Sequence, residues 1–238
     1  MVNQLLFGES FIIQEAGPEW FFIRGAIDGY EGWISKGSIA GLEEQPEEGI
    51  INPDEVIASL TQVYPAERPA DTLLLLPGST LPGLNHESGE FMLGENKYRV
   101  EGKLEPKPEL ANPHGIESIA LEFVNAPYLW GGRGIFGIDC SGFTQVVYKI
   151  CGIKLPRDAG QQVKEGLAVN FVSESVPGDL AFFGESEEEI THVGIILDGG
   201  RIIHASGKVR IDRFDHQGIF VKEKGSYSHS LRVIHNYL

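Results

Sequence analysis

Over the first hundred residues, apolar and polar positions alternate in short stretches. A helical period appears only after residue 110. Phe11-Ile12-Ile13, Trp20-Phe21-Phe22-Ile23 and Tyr30-Glu31-Gly32-Trp33-Ile34 read as strands, with turns at Ala16-Gly17-Pro18 and Asp28-Gly29. A second set of short strands falls at residues 71–78, 89–94 and 97–102, separated by Pro- and Gly-rich turns. That spacing predicts a second small barrel. Residues 43–49 form an acidic linker, and residues 103–114 a Pro-rich one.

The second half reads differently. Ile116, Ile119, Ala120 and Phe123 recur at helical spacing and predict a helix over about 116–125. Phe143, Val146, Val147 and Ile150 put one buried face on a second helix, which ends near Gly152, a suitable C′ residue. A short helix is expected from about 157 to 164. Strands follow around 179–183, 192–197, 201–205, 209–212 and 231–237. Helices first and an antiparallel sheet afterwards is an α+β pattern.

Composition narrows the partners. The 238 residues suit one or two domains with a sizeable core. A formal charge of −15 argues against nucleic acid and against anionic membrane or wall polymers as electrostatic partners. No apolar run reaches membrane-spanning length, and the N-terminus lacks the basic region of a secretory signal. The two cysteines, Cys140 and Cys151, lie eleven steps apart on one expected helix, too far for a disulfide. A reduced thiol protein is the simplest reading, and it favours the cytosol.

The chemistry concentrates at Cys140. A Gly-rich turn, Gly131-Gly132-Arg133-Gly134, precedes it, and the residue opens the apolar-periodic helix. The unpaired N–H groups and dipole of a first helical turn favour the thiolate, the reactive form of cysteine. Downstream, residues 191–197 and 201–207 read as paired strands joined by the Asp198-Gly199-Gly200 turn. Alternation puts His192 with Gly194 and Ile196 on one face, and His204 with Ile202 and Ser206 on one face. One histidine can take the thiol proton while the other fixes its tautomer. The remaining histidines, including His216 and His229, are scattered without metal-ligand spacing, so no metal or cofactor is expected.

Asp139-Cys140-Ser141-Gly142-Phe143, Thr191-His192-Val193-Gly194 and Ile203-His204-Ala205-Ser206 together resemble the NlpC family of bacterial cell-wall cysteine peptidases. Tyr128-x-Trp130-Gly131-Gly132, Leu155-Pro156-Arg157-Asp158-Ala159 and Pro177-Gly178-Asp179-Leu180 fall between them in the family's order. The resemblance covers roughly residues 112–238. It implies a papain-like α+β domain with Cys140 as nucleophile, His192 as general base and His204 as its orienting residue. Residues 1–42 resemble a partial bacterial SH3-like domain, and residues 54–105 are read as a second SH3-like barrel.

By the same resemblance the substrate is a peptidoglycan-derived stem peptide, cut between gamma-D-glutamate and a diamino acid. Some relatives use a packed SH3-like domain to admit only stems with a free N-terminal L-Ala. Tyr30, Asp139 and Ser141 are then the substrate-binding residues, offering hydroxyl and carboxylate acceptors to an ammonium group. Ala159 stands where some relatives carry a substrate-binding Ser. The expected protein is thus a cytoplasmic enzyme of wall-peptide recycling that needs neither nucleic acid nor membrane. The alternatives are a secreted autolysin acting on intact wall and a wall-peptide binding protein with a spent site, against which the intact Cys140, His192 and His204 argue.

Overall fold

A computed structural model describes residues 1–39, 55–67, 71–94, 96–101 and 110–238. The acidic linker expected at 43–49 and most of the Pro-rich linker at 103–114 lie outside the described residues. The chain divides into two compact units: Leu5–Lys107 forms one, and Met1–Gln4 together with Pro108–Leu238 forms the other.

In the first unit, β1 (Phe11–Ala16), β2 (Trp20–Gly25) and β3 (Glu31–Ser35) make an antiparallel meander. Alternation buries Phe21 and Ile23 and leaves Trp20 and Trp33 exposed. Four further strands, β4 (Thr61–Pro65), β5 (Leu73–Leu75), β6 (Glu90–Leu93) and β7 (Asn96–Val100), pair in the order β5-β4-β7-β6. Ile57, Val63, Leu75, Leu81, Phe91 and Val100 fill their core. Phe7, just upstream of β1, packs edge-on against Phe91 and Tyr98 at centroid distances of 6.1 and 6.0 Å. The core of the second set of strands therefore also takes a residue from the stretch before β1. The strand β4 was not anticipated, because Gln62, Tyr64 and Pro65 blur its apolar pattern.

The second unit opens with α1 (Pro113–Leu121), three residues earlier than its apolar period begins. The Asn112 carboxamide caps it by accepting from the Gly115 N–H at 3.0 Å, and Pro113 occupies the first turn. Asn112-Pro113 is therefore a helix start rather than linker, since proline there forfeits only an N–H that has no intrahelical partner. A two-strand ribbon, β8 (Arg133–Gly134) and β9 (Gly137–Ile138), leads into α2 (Cys140–Ile150). All eleven residues of α2 are buried, not one face only.

That burial needs partners for the polar side chains of α2. Thr144 Oγ1 meets Gln162 Oε1 at 2.8 Å, and Gln145 Nε2 donates to the Leu155 carbonyl at 3.1 Å. Gly152 adopts φ +82° just beyond the helix end, as a C′ glycine does. The next helix, α3 (Ala159–Gln162), is shorter than its sequence signal and excludes Arg157, whose side chain turns back toward α2.

Seven strands complete this unit: β10 (Leu167–Val169), β11 (Leu180–Gly184), β12 (Ile190–Leu197), β13 (Arg201–Ser206), β14 (Lys208–Asp215), β15 (Gly218–Val221) and β16 (Ser226–Asn236). Their order is β10-β16-β11-β12-β13-β14-β15, all neighbours antiparallel. The eleven-residue β16 also pairs with β15 at its start, so strands β11 to β16 close into a ring. Closure was not visible in the sequence, where the four-residue β15 is too short to carry a pattern. Helix α2 packs on β12 and β13, which brings its first residue to the strands that carry the histidines.

Candidate active site

The loop before α2 shapes the start of the site. Asp139 is extended at φ −94°, ψ 178°, and its Oδ1 accepts from the Gly142 N–H at 2.7 Å, so it is the N-cap of α2. Its Oδ2 accepts from the Gly131 N–H at 2.8 Å. Arg157 grips both oxygens, Nη1 to Oδ1 at 3.0 Å and Nη2 to Oδ2 at 2.6 Å. Arg157 Nη1 also donates to Ser141 Oγ at 2.9 Å, and Arg157 Nε donates to Asn3 Oδ1 at 2.7 Å. Gly142 must lack a Cβ here, because one would collide with the Gly132 carbonyl oxygen.

Five donors, with the Ser141 hydroxyl the most distant at 3.4 Å, therefore crowd the roughly four lone-pair sites of the Asp139 carboxylate. A substrate ammonium meeting Asp139 must share it with Arg157, and one meeting Ser141 must share its hydroxyl. Tyr30 lies in the first unit, just before β3, where its N–H donates to Asp28 Oδ1 at 3.0 Å.

Cys140 is the first residue of α2, and its thiol does not behave as its helix position alone suggests. Burial pushes it up to about 11, and the neighbouring Asp139 charge pushes the same way. N–H groups of Val193 and Ser141 and the more distant Arg157 pull it down, but less strongly. A buried thiol beside a carboxylate loses more than a helix terminus returns, so the resting sulfur is protonated.

The histidines lie where strand alternation predicts, and they meet. His192 Nε2 is 2.8 Å from His204 Nδ1, and both residues are buried. Gly194 pairs with His204 across the β12–β13 ladder, and a Cβ on Gly194 would stand 2.9 Å from the His204 Cβ. That absence of a side chain gives the His204 ring its room. On its far side, His204 Nε2 is 3.0 Å from Asp212 Oδ2. Arg210 holds the same carboxylate with Nε to Oδ2 at 2.6 Å and Nη2 to Oδ1 at 2.7 Å.

This series sets the tautomers. The bonds to His204 and Arg210 keep Asp212 ionised, winning over the opposing effect of its burial. Its carboxylate can only accept, so His204 carries its proton on Nε2 and offers the Nδ1 lone pair. His192 then donates from Nε2 and keeps its own Nδ1 lone pair. Burial, with His204 and His229 adding, holds His192 well below the usual histidine range, so it rests neutral. Cys140 and His192 line one cleft of about 250 Å³ with Tyr128, Thr191, Ala205, Ser206, Gly207 and His229. The cleft thus holds a protonated thiol and a neutral base whose free nitrogen is predetermined.

Sequence reasoning missed four residues here. Asp212 pairs with Ile202 across β13–β14, which places it diagonally from His204 on the same face, a relation visible only once the register is known. Arg157 was noted for its motif but not for its clamp on Asp139. Tyr128, also in a noted motif, lines the cleft, and burial together with Cys140 and Asp139 keeps its phenol protonated. His229, scattered in the sequence, stacks on His192 with centroids 4.1 Å apart and planes at 22°. A ring nitrogen of each of His192, His204 and His229 lies within 4.8 Å of the others, so the spatial clustering of histidines, unlike their spacing in sequence, does offer metal-ligating groups.

Comparison with known proteins places the chain among its relatives. Residues 125–225 match the NlpC/P60 family, and residues 1–39 match the bacterial dipeptidyl-peptidase Sh3 domain. A gamma-D-glutamyl-L-lysine dipeptidyl-peptidase of Bacillus subtilis is 30% identical over 217 residues, covering 85% of this chain and 71% of that protein. The chain belongs to the NlpC/P60 family. This is a family of cysteine peptidases. A gamma-D-glutamyl-L-lysine dipeptidyl-peptidase of Bacillus cereus is likewise 30% identical, over 85% of this chain, which spans 66% of its length. The crystal structure of an NlpC/P60 family protein from Bacillus cereus shares the fold, with a TM-score of 0.77 and 22% identity over 99% of this chain and 82% of that one.

Proposed function

We propose that this chain is a cysteine endopeptidase that cleaves the gamma-D-glutamyl-diamino acid bond of peptidoglycan stem peptides bearing a free N-terminal L-Ala. The observation that carries the catalytic part is the series Asp212, His204, His192, which leaves one basic nitrogen for the Cys140 thiol. His192 Nδ1 takes the thiol proton as the sulfur attacks the scissile carbonyl carbon. The tetrahedral intermediate collapses, the leaving amine takes the proton back from His192, and a thioester to Cys140 remains. Water, deprotonated by the same nitrogen, hydrolyses the thioester. Because thiol and imidazole rest neutral, the ion pair forms as substrate is engaged rather than beforehand.

The Tyr128 hydroxyl and the N–H groups of the first turn of α2 are the donors suited to the developing oxyanion. His204 orients the base, and Asp212 stabilises the imidazolium that forms. Residues 112–238 act as the papain-like peptidase domain, and residues 1–42 and 54–105 as SH3-like modules. Tyr30, Asp139 and Ser141 are the proposed contacts of the free amino terminus. Both proposed contacts on the peptidase side are already bonded to Arg157, so a substrate cation shares them with its guanidinium.

The names of the two Bacillus relatives support the bond and the chain end, since a dipeptidyl-peptidase releases two residues from a terminus. Cys140 and Cys151 are both thiols outside any disulfide, which suits a reducing compartment and hence recycling of wall peptides in the cytosol. The decisive experiment compares kcat/KM for L-Ala-gamma-D-Glu-diamino acid, its N-acetylated form and whole sacculi. A preference of about 10² to 10⁴ for the free amine is expected, from polar groups left unpaired by the blocked peptide. Comparable rates on all three substrates would replace this reading with that of a wall hydrolase with an open groove.

A further inference from the structure

We propose that His192, His204 and His229 form a binding site for a divalent cation of the zinc class, and that its occupancy switches the peptidase off. One nitrogen from each ring lies within 4.8 Å of the other two. A tetrahedral ion with bonds near 2.0–2.1 Å needs such nitrogens about 3.3 Å apart with their ring planes converging, so binding turns the His229 ring out of its stack on His192. Three imidazoles and no carboxylate in the set suit a borderline cation rather than calcium or magnesium.

The surroundings of the cluster support ligation. His204 Nε2 is held by Asp212 at 3.0 Å, and Arg210 in turn fixes that carboxylate. His229 Nδ1 is held by Ser228 Oγ at 2.8 Å. Both rings thus have their far nitrogens fixed by outer partners, which leaves His204 Nδ1 and His229 Nε2 as lone-pair donors. Carboxylate- or hydroxyl-backed imidazoles are the arrangement that orients metal-binding histidines. His229 takes no part in moving the thiol proton, yet it stacks directly on His192. Water from the cleft can complete four-coordination.

The switch follows from the tautomers. A cation on His192 Nε2 takes the place of the proton shared with His204 Nδ1. The displaced proton moves to His192 Nδ1, so His192 then presents an N–H to the thiol instead of a lone pair. The base is lost, no sulfur–metal bond forms and no net proton is released. This site is distinct from a cation held between the Cys140 thiolate and a histidine, which would expel the thiol proton.

The test is a calorimetric titration of the full chain with zinc chloride, as wild type and as Cys140→Ala, in two buffers of different ionisation enthalpy. One cation per chain is expected in both proteins, with near-zero proton release. Loss of binding in Cys140→Ala, or release of a full proton, would overturn the proposal by placing the metal on sulfur. In the Cys140→Ala background, His229→Phe keeps an aromatic ring over His192 but removes a ligand, and should weaken binding at least about 10-fold. Unchanged affinity in that variant would also overturn it. Peptide hydrolysis by wild type should fall in step with occupancy and return with chelator, and full activity at saturation would refute the switch. The titration does not depend on the substrate being as proposed, so its failure and a failure of the peptidase reading are separable.

Discussion

His204 lies between two partners, with Nδ1 2.8 Å from His192 and Nε2 3.0 Å from Asp212. The carboxylate therefore reaches the thiol only through two imidazoles. Asp212→Asn keeps the shape but can offer His204 Nε2 an N–H, which favours the opposite tautomer in both rings. The expected loss in kcat/KM is on the order of 10² to 10⁴, with the fold retained. A shift in the acidic limb of the rate profile, measured together with thermal unfolding, separates this from general damage. Retention of the wild-type rate and profile would show that Asp212 serves packing alone.

Cys140→Ala should abolish turnover by on the order of 10⁴ or more, because the unit fails when one member is missing. Alanine suits the first turn of a helix, and the Asp139 cap does not involve the sulfur. Circular dichroism and the unfolding midpoint should therefore change little. Residual hydrolysis near the wild-type rate would remove Cys140 from the mechanism.

His192→Ala and His204→Ala should differ. The first removes the proton acceptor, whereas the second removes the group that sets its tautomer and leaves Asp212 facing a cavity. Parallel assays should find more activity in His204→Ala. Equal loss, with equally altered thiol titration, would mean that the two rings act as one coupled group.

Stability should fall on the acid side beginning near pH 6.5, above the range of ordinary carboxylates. His192 is held well below the usual value of 6.5 and His229 is lowered to about 4, each chiefly by burial. Below pH 6.5 the unfolded chain binds protons that the folded chain refuses, so unfolding becomes favoured as pH drops. The thiol acts at the other end. Raised from 9.0 to about 11, Cys140 stays protonated in the folded state while the unfolded thiol ionises, so stability falls again above pH 9. Denaturant midpoints across pH should show a plateau between these limits. His229→Phe should flatten the acid slope, and an unchanged slope would assign it to other groups.

Arg157→Met should be severely destabilising. It leaves the buried Asp139 carboxylate without its two-pronged partner, and breaking such a pair from one side costs about 3–5 kcal/mol. Chemical unfolding of this variant beside Arg157→Met/Asp139→Asn measures the coupling. If the double variant is no more stable than the single, the pair contributes little.

The sequence pointed to Cys140, His192 and His204 because each announces itself locally. Cys140 follows a turn and opens an apolar period, and the histidines fall on alternating strands. The residues it hid are defined by relations across the chain. Asp212 depends on the register of β14 against β13, and His229 depends on the closure of β16 around the sheet. Periodicity also understated α2, whose polar positions are buried because Gln162 and the Leu155 carbonyl satisfy them. The extended signals at the start of the chain were legible as strands. The packing of Phe7 into the second set was not, because a single aromatic before β1 carries no pattern.

Asn3 and Gln4 belong to the peptidase unit although more than a hundred residues separate them from the rest of it. Asn3 accepts from Arg157 Nε at 2.7 Å, while the Gln4 carbonyl and Oε1 accept from Arg133 Nη1 and N–H at 2.9 and 2.8 Å. The polypeptide thus supplies this unit from two separate stretches of its sequence. A fragment cut at residue 110 would carry the Cys140 thiol and the clustered His192, His204 and His229, yet it would strip an acceptor from the arginine that clamps the Asp139 cap of α2. For anyone dissecting this molecule, the compact unit that holds the thiol and the clustered histidines is not a contiguous stretch of its sequence.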